Sequence, residues 1–529
     1  MGPGRSAPID ASARTRFLRG FRLIYLAPVL ALLALSAWAF ASPMGAAPDD
    51  DYHLVSIWCA TGDSAVCQPG ESSKTRLVPS AVLQSPCYAF YSDESAACQS
   101  RLDYTDSKLA ETNRGNFVGA YPPLYYAVMS NFVGEDVLAS VMAMRLFNVA
   151  LFVALTSALY VLLPVSRRPA LVWGWLLTTV PLGLFLLASN NPSGWAVAGV
   201  GSAWLALLGY FETPHRAKRI ALGALFVLAV FMAAGSRGDS ALYVVGGIGV
   251  AAIIAFENSR RFWTLAILPL IMIGVSAAYF LSARQTASGI SGFSSQDAVP
   301  ASTEQAAGAA ANLAGFGLLA YNFLNVPSLW VGAFGGWALG WLDTPIPESV
   351  TFLALSAFIG VGFVGLSVLN GRKIFAVAGV GFVLWLLPTY VLTQGGDKVG
   401  EQVQPRYILP IMVIMGGLLV LEAGAKRFQL GRVQTVAVVI ALSAANLVAL
   451  HMNMRRYVTG NDVPGWNLNA GAEWFWSGAP APMVVWGVGS LAFAGMVIIV
   501  AREMARAAAI RTVELEPQSE QAKPVATAV

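Results

Sequence analysis

The sequence predicts an all-α polytopic membrane protein of about twelve transmembrane helices, with a disulfide-stapled first extracytoplasmic loop. Three observations carry that expectation. Of the 529 residues, 56% are hydrophobic and 12% charged, with a mean hydropathy of +0.61, whereas a soluble domain carries about 25% charged residues. Apolar runs of about twenty residues recur along the chain, each enough to cross the hydrocarbon layer as a helix. The basic residues gather in alternate connections between those runs, as the positive-inside rule requires. The net charge of +4 is small, and no basic run is interleaved with aromatics, which excludes a nucleic-acid partner.

Spans are expected near 20–42, 137–163, 170–188, 194–211, 219–235, 240–257, 263–281, 350–370, 374–393, 407–423, 433–452 and 483–501. Arg5, Arg14, Arg16, Arg19 and Arg22 stand before Ile24, at the start of the first. Ala39-Phe40-Ala41 resembles a signal-peptide cleavage site, but the run is long enough to span and many spans follow, so an uncleaved helix is expected. Arg167-Arg168, Arg216/Lys218/Arg219, Arg260-Arg261, Arg372-Lys373 and Lys426/Arg427/Arg432 lie on the side of the leading arginines. That side, with both termini, is therefore expected in the cytoplasm of a bacterial inner (plasma) membrane. Residues 1–19 form a cytoplasmic segment, 20–501 the transmembrane domain, and 502–529 a polar tail expected to be disordered.

Two long loops face outward, 43–136 and 282–349. The first holds all four cysteines, Cys59, Cys67, Cys87 and Cys98. An even count confined to one extracytoplasmic loop predicts two disulfides among three possible pairings, stapling a loop with little core of its own. Zinc is the alternative, but CxxC spacing and a second loop histidine are missing. The second loop is polar to Gln305 and apolar from Ala306 to Trp341, interrupted by Asn322, Asn325 and Pro327. It reads as interfacial or re-entrant helices, with Trp330, Trp337 and Trp341 keeping their indole N–H groups near water. No internal repeat of the kind many transporters carry is visible.

The chemistry-bearing residues cluster at outer span ends. Asp49-Asp50-Asp51-Tyr52-His53 follows the first span. Neighbouring carboxylates raise one another's pKa, and with the histidine they are also unspecific ligands for a divalent cation. Asp51 reads as solvated loop. Arg145 lies in the outer half of the second span, Asn190-Asn191-Pro192-Ser193 joins the third and fourth, and Arg237 and Asp239 occupy the next outer turn. Asp343 closes the apolar part of loop two, and Arg406 opens the tenth span. A carboxylate facing arginines across a cavity suits transfer from a lipid-linked phosphate: the guanidinium fork grips phosphate and the carboxylate accepts a proton from the attacking hydroxyl. Capping of helix ends in water is the bland reading for about half of these charges. Tyr121, Tyr125 and Tyr126, around Pro122-Pro123, offer rings for sugar faces, or an interfacial aromatic belt.

Five segments in order resemble the bacterial membrane-protein family DUF2142. They are Pro48-Asp49-Asp50-Asp51-Tyr52-His53, Pro122-Pro123-Leu124-Tyr125-Tyr126, Ser189-Asn190-Asn191-Pro192, Gly336 to Pro347, and Gln404-Pro405-Arg406-Tyr407-Ile408-Leu409-Pro410. The resemblance implies a GT-C-like fold and a membrane glycosyltransferase. Its partners would be a polyprenyl-phosphate sugar donor, an extracytoplasmic cell-envelope glycan or lipid acceptor, and membrane lipids. It favours Asp49 as general base, with Asp50 and His53 supporting. Arg406 would hold the donor phosphate, and Tyr407, Arg145, Tyr125, Tyr126, Arg237 and Asp343 would line the substrate site. Ser193 stands where the family has aspartate, and Pro405 where it has glycine. A transporter or flippase of lipid-linked glycans, and a non-catalytic envelope-assembly protein, are the rival readings.

Overall fold

The computed structural model describes residues 23–105, 108–283, 315–401, 403–424 and 427–520, with side chains to 508. Ten helices among them are long and apolar enough to cross a membrane. α1 (Ala27–Phe40), entered through a 3-10 turn at Leu23–Leu26, leads into loop one. There α2 (Asp50–Trp58) begins on two carboxylates, which complement the positive end of its dipole. An antiparallel sheet follows, β1 (Gln68–Pro69), β2 (Arg76–Pro79) and β3 (Leu109–Thr112), in the order β1-β2-β3 with Arg76 opposite Thr112. Disulfides join Cys59 to Cys67 and Cys87 to Cys98. The loop packs on the bundle: Leu54, Ile57, Trp58, Val78 and Val82 are buried and continuous with the core of the helices.

α3 (Ser80–Gln84) lies between β2 and β3, α4 (Leu124–Met129) follows the sheet, and α5 (Val137–Leu162) then returns across the bundle. The run at 170–188 is not one span. It breaks at Pro181, whose ring supplies no N–H to a helical ladder, into α6 (Arg168–Thr178) and α7 (Leu182–Leu187). α8 (Pro192–Glu212) is buried on nearly every side, as an all-round apolar helix must be. α9 (Arg216–Ala234), α10 (Gly238–Ala255) and α11 (Arg260–Ser282) follow. A side chain at Gly199 would lie 2.6 Å from the Ala229 carbonyl oxygen, so only glycine lets α8 and α9 approach this closely.

The expected polar half of loop two falls mostly outside the described residues. Its apolar half folds as α12 (Phe316–Asn325) and α13 (Pro327–Val331), then a turn at Gly332–Gly336. Trp330 and Trp341 do not keep their N–H groups for water. They donate them to the carbonyls of Leu384 (3.2 Å) and Gly45 (2.8 Å). α14 (Glu348–Gly365), α15 (Gly371–Gly395), α16 (Pro405–Leu419), α17 (Arg432–Val458) and α18 (Pro482–Glu520) complete the chain. The span expected at 407–423 is the short α16, whose 15 residues reach roughly 22 Å. α18 runs past 501 to Glu520, into the segment expected to be disordered, and residues 521–529 of that tail lie outside the described residues.

Candidate functional site

Between α1 and α2 the chain turns sharply, with Asp49 in the left-handed backbone region at φ 62°. Asp50 accepts a hydrogen bond from the Ala47 N–H (3.1 Å), which closes the turn. Asn191 caps α8 with its side-chain oxygen, accepting from the Ser193 N–H, and donates its amide to the Pro48 carbonyl at 2.7 Å. The Asn-Asn-Pro-Ser turn thus presses on the residue before Asp49. Pro405 occupies the first turn of α16, where its missing N–H costs nothing. The departure from glycine there starts the helix that presents Arg406.

Arg406 pairs with Asp49 at 2.7 Å, and Arg114 stands 4.0 Å from the other carboxylate oxygen. Arg406 also donates to the Pro48 carbonyl (3.3 Å) and to the Tyr407 hydroxyl (2.9 Å). Arg237 is held by Asp239 at 2.9 Å, with its guanidinium 4.7 Å from the Tyr407 ring and 5.7 Å from the Tyr121 ring. His53 shares a hydrogen bond of 2.9 Å with the Tyr126 hydroxyl and meets the edges of Tyr52 and Tyr121. Burial pushes the Asp49 carboxyl up, but the charges of Arg406 and Arg114 outweigh it and hold the group below its ordinary value. Burial drives the Asp50 carboxyl up to about 7 against the pull of Arg145. Burial likewise takes His53 down to about 3, so its ring is neutral.

The expected residues divide into two sets. Asp49, His53, Tyr126, Arg237, Arg406 and Tyr407 form one connected site. Arg145 does not face it: its guanidinium is spent on the carbonyls of Ala39, Ser42 and Pro43. Tyr125 donates to the Asn190 carbonyl at 2.5 Å. Asp343 pairs with the fully buried Arg456 at 2.8 Å. Asp51 is not solvated loop; it forms an ion pair with Arg114. Asp49 lies before α2, and Asp50 and Asp51 in its first turn, where consecutive residues point about 100° apart. Asp49 therefore faces Arg406, Asp50 turns back on the Ala47 N–H, and Asp51 faces Arg114, which also stands near Asp49. Among the described residues no group of three or more His, Cys, Asp or Glu is placed to hold a metal ion. Arg114 was missed, because a lone arginine in a polar loop carries no sequence signal. Tyr121, expected to offer a ring, and Asp239, expected among the outer charges, both stand at Arg237.

A narrow cleft, wide enough for about one water molecule, opens beside Arg406 and Pro48, walled by Leu182, Phe185, Trp337 and Leu342. A larger apolar groove runs between α1, α5, α6 and α18. It holds neither Asp49 nor Arg406, and its lining suits lipid tails rather than chemistry. Residues 32–415 match the family model described as predicted membrane protein (DUF2142). The chain belongs to the DUF2142 family. No curated protein and no solved structure matches it. In this DUF2142 protein the segments around Asp49, Tyr126, Asn191 and Arg406 meet at one place, while Gly336 to Pro347 supplies a wall of the cleft.

Proposed function

We propose that this protein is a GT-C-type glycosyltransferase of a bacterial inner membrane. It moves a sugar from a polyprenyl-phosphate donor to a hydroxyl of an extracytoplasmic cell-envelope glycan or lipid. The observation that carries the reading is the Asp49 carboxylate held by Arg406 at 2.7 Å, beside a cleft apolar on its walls and cationic at its end. The chemistry of its lining, not its present width, matches an isoprenoid phosphate, apolar in its chain and anionic at its head. The two disulfides lie in the loop that carries Asp49, which supports an oxidising, extracytoplasmic side.

In the unliganded protein Asp49 and Arg406 neutralise each other. A donor phosphate competes for the guanidinium fork. Once Arg406 turns to phosphate, Asp49 loses its strongest cationic neighbour, and burial raises its proton affinity into the range of a useful base. The acceptor oxygen then attacks the anomeric carbon and its proton passes to Asp49. The bond from that carbon to the phosphate oxygen breaks, and polyprenyl phosphate leaves with the electron pair. Direct displacement inverts the anomeric centre. Neutral His53, fixed by Tyr126, walls the site without competing for that proton.

The test uses purified protein in lipid vesicles with polyprenyl-phosphate sugars and envelope acceptors. Asp49→Asn is expected to lower turnover by about 10²–10⁴-fold, the usual contribution of a general base, at unchanged expression. Arg406→Ala is expected to raise the donor KM by roughly 10-fold or more. Full turnover in Asp49→Asn would remove the carboxylate from the mechanism. Movement of lipid-linked glycan across the bilayer without transfer would favour the transporter reading.

A further inference from the structure

We propose that Phe90, Tyr91, Trp341 and Leu342 form a platform for a sugar ring of the acceptor glycan, at the rim of the Arg406 cleft. The proposal rests on the transferase reading and names the second substrate's place in it. Phe90 and Leu342 are bulky, yet both sit in the left-handed backbone region, at φ 72° and 62°. Such conformations cost on the order of 1–3 kcal/mol each. Folding gains little in return, because the side chains point outward: Phe90 is 58% exposed, Tyr91 62% and Leu342 44%. Backbone strain combined with exposed apolar surface is unfavourable twice over, and a binding role accounts for both.

The rim is also held rigid. One carboxylate oxygen of Asp343 accepts from the Phe90 N–H at 3.0 Å and from buried Arg456 at 2.8 Å. That single group fastens the two loops to each other. Arg456 donates to the Tyr88 and Glu94 carbonyls on either side of Phe90, and the Cys87–Cys98 disulfide braces the same loop. Trp341 is tied to the Gly45 carbonyl, and its ring meets that of Phe90 at 5.4 Å. A surface fixed before binding loses little entropy when a ligand arrives.

Location and size select the occupant. Leu342 lines the cleft that ends on Arg406, so a ligand on the rim adjoins the donor phosphate. Four side chains are far too few for a protein partner, which needs about 800 Å² a side. They match one or two pyranose rings, whose C–H faces pack against the electron-rich faces of aromatic rings. The remaining candidate, a lipid headgroup layer, becomes an outcome of the test.

The experiment uses the full-length protein in nanodiscs and neutral oligosaccharides of two to six residues, released from the producing cell's own envelope by mild acid. Saturation-transfer NMR is expected to show the sugar C–H protons in contact with the protein. The double variant Phe90→Asn/Leu342→Asn tolerates left-handed backbone and should lose roughly ten-fold in affinity. Val165→Ala, at an exposed position ahead of α6 and outside both the rim and the Asp49 site, should keep the signal. An equal signal in the double variant, or none in the wild type at millimolar sugar, would overturn the platform. A spin label on Tyr91→Cys should collide more with a water-soluble paramagnetic reagent than with dissolved oxygen; the reverse places the rim in headgroups and also overturns it. Glycan binding without any transferase activity would sink the enzymatic reading and leave the platform standing.

Discussion

Asp50 and His53 stand one turn apart on α2 and respond to pH in opposite directions. Folding raises the Asp50 carboxyl from 3.8 to about 7 by burial. The folded form therefore binds a proton that the unfolded form has released, so this contribution to stability is full below 3.8 and is lost as pH rises to about 7. His53 is lowered from 6.5 to about 3. Its contribution is present above 6.5 and lost as pH falls toward 3, and Asp49, held low by its arginines, adds to the same side. Between these limits the slopes offset. Removing either residue is expected to expose the other. Asp50→Asn should lose Tm steeply on acidification from 6.5 to about 4, and His53→Gln should gain Tm over the same interval. Thermal unfolding in nanodiscs followed by fluorescence checks this, and profiles parallel to the wild type in both variants would refute it. The cluster itself was legible in the sequence, and so was Arg406 opposite it. Which aspartate took which partner was not, because a one-residue step turns a helical side chain to another face. Arg114 and Arg456, decisive for Asp51 and Asp343, sit among ordinary polar residues and announce nothing.

Helix ends decide which apolar runs become long helices. Lys373 is wholly buried, and its ammonium donates to the carbonyls of Gly365 (3.0 Å), Leu419 (2.8 Å) and Leu421 (2.9 Å). It satisfies the ends of α14 and α16 from the first turn of α15. Gly365 has no side chain because the Leu419 carbonyl occupies that space. Lys373→Met keeps the stem but takes the donor from the Leu419 and Leu421 carbonyls, while that of Gly365 keeps the Val368 N–H, at a cost of about 2–4 kcal/mol. A Tm lower by several degrees is expected, with the site chemistry unchanged; an unaltered Tm would show that water replaces the ammonium freely. In the sequence Lys373 read only as a marker of sidedness, beside Arg372. The break at Pro181 was equally hidden. Pro269, Pro388 and Pro410 lie inside continuous helices, so a proline within an apolar window does not by itself distinguish a kink from a stop. Hydropathy reports how apolar a segment is, not whether its hydrogen-bond ladder closes.

Across the whole molecule, contacts fix which ends share a face. α1 ends beside Arg145, α8 begins against Pro48, α16 begins with Arg406 on Asp49, and the loop before α18 donates from Trp476 to the Phe40 carbonyl at 3.1 Å. These ends all lie on the Asp49 face. On the other face Arg167, ahead of α6, reaches Glu212 at the end of α8 and the Glu422 carbonyl beyond α16. The chain therefore passes from one face to the other through the broken pair α6–α7 and again through short α16, although neither is among the ten long apolar helices. α1 starts and α18 ends on the face opposite Asp49. If the basic connections mark the cytoplasm, as the positive-inside rule holds, the disulfides, the rim and Asp49 are all outside. Val165, 41% exposed beside Arg167, and Pro464, exposed in the loop before α18, report on the two faces. In intact spheroplasts a membrane-impermeant maleimide is expected to label Pro464→Cys at once and Val165→Cys only after permeabilisation. The reverse pattern would put Asp49 in the cytoplasm, where disulfides do not persist and an extracytoplasmic acceptor cannot reach the site.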